Sequence, residues 1–97
     1  LVDVLRRADV DVTVASVESL ETVVLQNGLR IVPDVNLEQV SDETWDAIVM
    51  AGGVPGAMNL AASELLKAVI QRHHAGGGLV GAICLSPALV LKPAGVL

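Results

Sequence analysis

Asp46-Ala47-Ile48-Val49-Met50 and Leu79-Val80-Gly81-Ala82-Ile83 are apolar runs of strand length, and each passes directly into a turn. Runs that are apolar throughout, rather than alternating, suit strands covered on both faces, as parallel strands joined by helical crossovers are. Between them, Leu65, Leu66, Ala68, Val69 and Ile70 recur at helical spacing from Glu64 to His74, with Ser63 placed as an N-cap. Gly76 falls where a left-handed C-terminal cap is expected. This stretch predicts a strand, a helix and a second, parallel strand.

The flanking sequence extends the pattern. Leu1–Ala8 reads as the end of an amphipathic helix, with Arg6-Arg7 where the helix dipole favours positive charge. Val10–Ala15 alternates β-branched and polar residues and predicts a strand. Thr22–Leu25 and Leu29–Val32 flank Gln26-Asn27-Gly28, and an Asn-Gly pair supplies the positive φ angles of a tight turn, so a small β-hairpin is expected, closed by Pro33-Asp34. Ala51-Gly52-Gly53-Val54-Pro55-Gly56 reads as a glycine loop at the carboxyl end of a strand, where open α/β sheets place their ligand crevice. Ser86 and Pro87 read as the N-cap and first-turn proline of a helix through Leu91, which Lys92-Pro93 ends. The order helix, strand, hairpin, strand, helix, strand, helix predicts one α/β domain with a mostly parallel sheet.

Composition narrows the function. A net charge of −5 and a single aromatic residue, Trp45, exclude phosphate-backbone and base-stacking recognition, so no nucleic-acid partner is expected. No apolar run reaches bilayer length, so no membrane span is expected. One cysteine among 97 residues, without a Cys/His cluster, implies neither a disulfide nor a metal site and suits a reducing, cytoplasmic setting. The glycine loop lacks the Gly-Lys-Ser/Thr ending of a phosphate-binding P-loop. His73-His74 close a helix at the end away from the crevice and read as solvated residues.

That one cysteine, Cys84, lies where a strand turns into a helix. Unsatisfied N–H groups and the positive end of the helix dipole favour a thiolate, the reactive form of the residue. The geometry matches the nucleophile elbow of α/β-hydrolases, in which the next residue, here Leu85, donates its N–H to an oxyanion. With neighbouring strands, Gly53 N–H becomes the second donor. The alternative is a buried core thiol, because Ala82, Ile83 and Leu85 around it are apolar.

Val4-Leu5-Arg6-Arg7-Ala8, Val32-Pro33-Asp34, Asp46–Gly53, Gly56-Ala57-Met58-Asn59-Leu60 and Ala82-Ile83-Cys84 resemble, in order, the ThiJ/PfpI family, most closely its parkinsonism-associated deglycase branch. The resemblance implies a flavodoxin-like three-layer sandwich, a homodimer, and a cofactor-independent glyoxalase or deglycase acting on methylglyoxal-type α-oxoaldehydes and early glycation adducts. Cys84 matches the family's reactive, oxidisable nucleophile, and Gly53 and Leu85 match the positions whose N–H groups face it. The rival reading is a non-enzymatic oxidative-stress sensor or redox-regulated chaperone working through Cys84. Leu85 stands where the branch has a small residue and is expected to narrow the pocket; it also stands where the protease-like branch has histidine, so peptidase activity is not expected. The family's catalytic glutamate lies on a segment ahead of the first helix, and none of Glu18, Glu21, Glu38, Glu43 or Glu64 matches it. Residues 1–97 therefore read as part of a single domain of this kind, incomplete at both ends, with its remainder possibly on another chain.

Overall fold

The computed structural model describes residues 1–18 and 21–97. Helix α1 (Val2–Arg7) carries Asp3 in its first turn and Arg6 and Arg7 in its last, and buries no residue. Arg6 is a tie rather than a free charge: its Nη2 donates to Val12 O at 2.9 Å and to Asp34 Oδ2 at 3.1 Å. Asp34 Oδ2 also accepts from Val14 N at 2.8 Å. These bonds occupy backbone groups that a strand ladder needs. The strand expected over Val10–Ala15 is accordingly paired only from β1 (Ala15–Ser16), which lies parallel to β4 (Val35–Asn36).

The hairpin forms as read. Strands β2 (Val23–Val24) and β3 (Arg30–Ile31) are antiparallel, with Val23 opposite Ile31 and Val24 opposite Arg30. Asn27 and Gly28 take φ of +61° and +77°, and Leu25 N donates to Leu29 O at 2.6 Å across the turn. The short helix α2 (Leu37–Val40) starts at a capping box in which Gln39 Oε1 accepts from Asn36 N at 2.8 Å.

The two apolar runs become β5 (Ala47–Met50) and β6 (Leu79–Ala82), parallel and in register from Ala47–Leu79 to Met50–Ala82. Side chains alternate across a strand, so the Met50, Val80 and Ala82 side chains share a face. That face meets Leu66 and Ile70 of α4 (Glu64–Ala75) and Val90 and Leu91 of the C-terminal helix, and together these form the core. Leu79 and Val49, on the opposite face, are exposed.

Ser63 caps α4 as expected, its Oγ accepting from Leu66 N at 3.1 Å. The left-handed residue beyond the helix is Gly77 (φ +83°), not Gly76 (φ −81°), because the helix continues to Ala75 and shifts its exit by one residue. The glycine loop is also shorter than expected: Val54–Ala61 form helix α3, which starts with Pro55 in its first turn. Gly56 weakens the helical signal there, but Ala57 is fully buried, so packing decides the conformation. At the C-terminus, Lys92-Pro93 do not end the helix. Residues Pro87–Leu91 wind as a π-helix that runs into α5 (Lys92–Ala94), with Lys92 N donating to Pro87 O, five residues back. The wider turn relieves the clash a proline ring makes with the carbonyl four residues earlier, and Gly95 (φ +77°) makes the stop.

Ile70 is the largest apolar side chain with no exposed surface. Ile70→Ala is expected to lower stability by about 3 kcal/mol, read by urea denaturation of the intact protein, through lost burial and the cavity left behind.

Candidate active site

Strand β6 ends at Ala82, and two residues later the backbone at Cys84 takes φ of +63°. A side chain in this left-handed region costs about 1–2 kcal/mol, because Cβ crowds the following carbonyl. The residue is held there by its surroundings. Parallel pairing fixes β6 against β5, and Ile83 N donates to Met50 O at 3.3 Å, carrying the ladder to the edge of the turn. Ser86 then locks the far side: it is fully buried and its Oγ donates to Ala51 O at 2.5 Å.

Ser86 is therefore not the N-cap the sequence suggested. Its backbone is helical (φ −61°, ψ −37°) and its hydroxyl, instead of capping, joins the two strand ends. The signal for this was a serine beside the cysteine, but its partner lies 35 residues away.

Gly52 is the floor under the cysteine. A Cβ on Gly52 would lie 2.5 Å from Cys84 Cβ, 3.2 Å from Ile83 O and 3.4 Å from Cys84 Sγ. Gly53, the N-cap of α3, has φ +92° and ψ +141°, a conformation natural only to glycine. Among the described residues, the N–H groups of Gly53 and Leu85 take part in no hydrogen bond.

Cys84 is exposed, which decides against the buried core thiol. It opens on a cleft of about 740 Å³. Gly52, Gly53, Pro55, Asn59 and Leu60 form one side of this cleft, and hairpin residues including Val24, Leu25, Leu29 and Ile31 form another. Leu85 is not among the described residues that line it, so its side chain does not narrow the cleft as expected. Of Glu18, Glu21, Glu38, Glu43 and Glu64, only Glu18 lines the cleft, a placement that the sequence pattern did not show. Its Oε1 accepts from Asn59 Nδ2 at 3.3 Å, and its backbone N–H donates to Ser16 Oγ at 3.0 Å.

The histidines lie elsewhere. His74 is exposed as expected, but His73 is half-buried, its Nε2 donating to Leu79 O at 2.9 Å and its ring filling the space beside Gly78. It fastens the end of α4 to the start of β6. Among the described residues, no group of three or more His, Cys, Asp or Glu side chains is arranged to hold a metal ion, and no helix is long and apolar enough to cross a membrane.

An exposed cysteine in a left-handed turn, above a glycine and beside an open cleft, is the arrangement the resemblance implied, and residues 1–97 match the DJ-1/PfpI family. The chain belongs to the DJ-1/PfpI family. It is 38% identical over 90 residues to Protein dj-1beta of Drosophila melanogaster, covering 93% of this chain and 48% of that protein. It is 40% identical over 89 residues to the glutathione-independent glyoxalase DJR-1.2 of Caenorhabditis elegans, covering 92% of this chain and 47% of the relative. Among solved structures, an oxidised DJ-1 from Toxoplasma gondii superposes with a TM-score of 0.96 at 44% identity, over 99% of this chain and 52% of the other. Crystalline Drosophila melanogaster DJ-1beta superposes with a TM-score of 0.92 at 39% identity, over 98% and 50%. The fold is thus the α/β, flavodoxin-like fold of DJ-1 proteins, and the chain spans about half the length of these relatives.

Two substitutions test the elbow. Gly52→Ala, which drives a methyl group into Cys84 Cβ, is expected to lower the alkylation rate of Cys84 by iodoacetamide at least tenfold, because backbone cannot yield as a flexible side chain does. Cys84→Gly is expected to be about 1 kcal/mol more stable than Cys84→Ala in urea denaturation, since only the alanine variant keeps a Cβ at positive φ.

Proposed function

We propose that this chain carries the nucleophile of a cofactor-independent glyoxalase or deglycase acting on methylglyoxal-type α-oxoaldehydes and their early adducts. The observation that carries the reading is Cys84 itself, exposed at φ +63° above Gly52 and opening on the cleft. A relative at 40% identity bears the name of a glutathione-independent glyoxalase, which supports the reaction class.

In this reading the Cys84 sulfur anion attacks the aldehyde carbon. A C–S bond forms, the carbonyl π pair moves to oxygen, and the N–H groups of Gly53 and Leu85 receive the oxyanion. A carboxylate base then moves a proton from that carbon to the neighbouring one. The first carbon rises to the thioester level as the ketone falls to an alcohol, so the electrons balance within the substrate and neither metal nor nucleotide is consumed. Water cleaves the C–S bond and releases lactate with the free thiol. The resemblance assigns the base to a segment ahead of the first helix, outside these 97 residues. It also implies a homodimer and a cytoplasmic location.

A second reading rests on the exposure of Cys84 and on the oxidised state of the Toxoplasma gondii relative. A sensor needs an accessible thiol that a peroxide converts to sulfinate, and no turnover. Lactate formation from methylglyoxal by the intact protein and by its Cys84→Ala variant separates the two. Loss of at least a hundredfold in the variant establishes the enzyme; equal rates in both remove Cys84 from the reaction. Absence of turnover in the unmodified protein, with selective addition of two oxygens at Cys84 under mild peroxide, supports the sensor.

A further inference from the structure

The cleft is much larger than a three-carbon oxoaldehyde, and its walls are not uniform. Val24, Leu25, Leu29 and Ile31 of the hairpin, with Pro55 and Leu60 of α3, supply apolar surface suited to a methylene chain. Against this surface stands one charged group among the described lining residues, the carboxylate of Glu18.

Glu18 is held from both ends. Ser16, buried beneath it, accepts from Glu18 N at 3.0 Å and donates to Glu18 O at 3.1 Å. At the other end Asn59 Nδ2 fixes Oε1 at 3.3 Å. Oε2 accepts a hydrogen bond from no described residue, so half of the carboxylate remains available to a ligand. A carboxylate beside apolar walls favours a cation carried on an aliphatic stem, and a guanidinium in particular, because its paired N–H donors match carboxylate geometry.

We infer that Glu18 makes the Cys84 cleft selective for α-oxoaldehyde adducts borne on basic side chains, guanidinium above all, over neutral or anionic ones. This rests on the proposed deglycase reading for its substrate, but the charge selectivity is measurable without turnover. Asn59 is the positioning residue that aims the carboxylate.

The test compares Cys84 modification rates with methanethiosulfonate reagents of similar size, in which the thiolate displaces methanesulfinate: the neutral methyl reagent and the cationic trimethylammonioethyl reagent. In the intact protein the cationic reagent is expected to react faster relative to free cysteine. Glu18→Gln, which keeps shape and the bond to Asn59, is expected to lower that preference about fivefold with the neutral rate unchanged, as loss of one charge at short range through a partly hydrated cleft implies. An unchanged preference, or equal loss of both rates, overturns the inference. In the same proteins, N-acetylarginine amide is expected to inhibit methylglyoxal turnover at least threefold less well after Glu18→Gln, at unchanged uninhibited turnover. Absence of methylglyoxal turnover overturns the enzyme reading and leaves the reagent ratio to decide on Glu18.

Discussion

The left-handed backbone at Cys84 is a local cost that the surrounding structure must hold in place, and most of the molecule's specific features can be read as serving that one φ angle. An isolated turn with this sequence would relax to negative φ, since a Cβ in the left-handed region is unfavourable by about 1–2 kcal/mol. Here the turn is clamped between a parallel ladder and a buried hydroxyl. The ladder brings β6 to Ile83 in register with Met50, and the Ser86 hydroxyl binds the carbonyl of Ala51, the residue that follows β5. The two strand ends are thereby joined on both sides of the cysteine. Gly52 is then the residue over which Cys84 Cβ projects, and any larger side chain would push the turn open.

This dependence explains why the core lies where it does. Met50 and Ala82, the last registered pair before the turn, direct their side chains toward Leu66, Ile70, Val90 and Leu91. Burial of those side chains fixes the strand ends, and the strand ends fix the turn. The π-helical winding over Pro87–Leu91 belongs to the same chain of causes. It lets Pro93 sit inside a continuous helical segment while Val90 and Leu91 stay in the core, immediately beyond the elbow.

The features legible in the sequence were those encoded by neighbours in the chain. Ser63 three residues before Leu66, Asn27-Gly28 between β-branched residues, and apolar runs of strand length each specify local geometry, and each formed as read. What escaped reading depends on distant partners. The strand over Val10–Thr13 lost its ladder because Arg6 and Asp34, on segments far apart, occupy its backbone groups. Helix α3 was hidden by Gly56 and revealed only by the burial of Ala57. At the site, the cysteine and the glycines beneath it were legible, because a strand-to-helix turn restricts residue type. Glu18 was not, since its position on the cleft wall follows from a bond to Asn59 across 41 residues. Ser86 was recognised as important and given the wrong bond, for the same reason.

The two sides of the cleft also differ in how firmly they are built. The cysteine side combines a parallel ladder, a buried hydroxyl and the main core, so local opening there requires breaking all of them. The hairpin side rests on two registered pairs and a tight turn, with Val24, Leu25 and Leu29 exposed. A hairpin of that size has little independent stability in water. Positional precision matters most for the attacking sulfur, where small displacements are costly to reaction, and least for an apolar wall that only excludes water from a variable stem. The division of stiffness thus follows the division of labour: the chemistry is set by β5, β6 and Ser86, while the range of carriers the cleft accepts is set by the hairpin and the charge of Glu18.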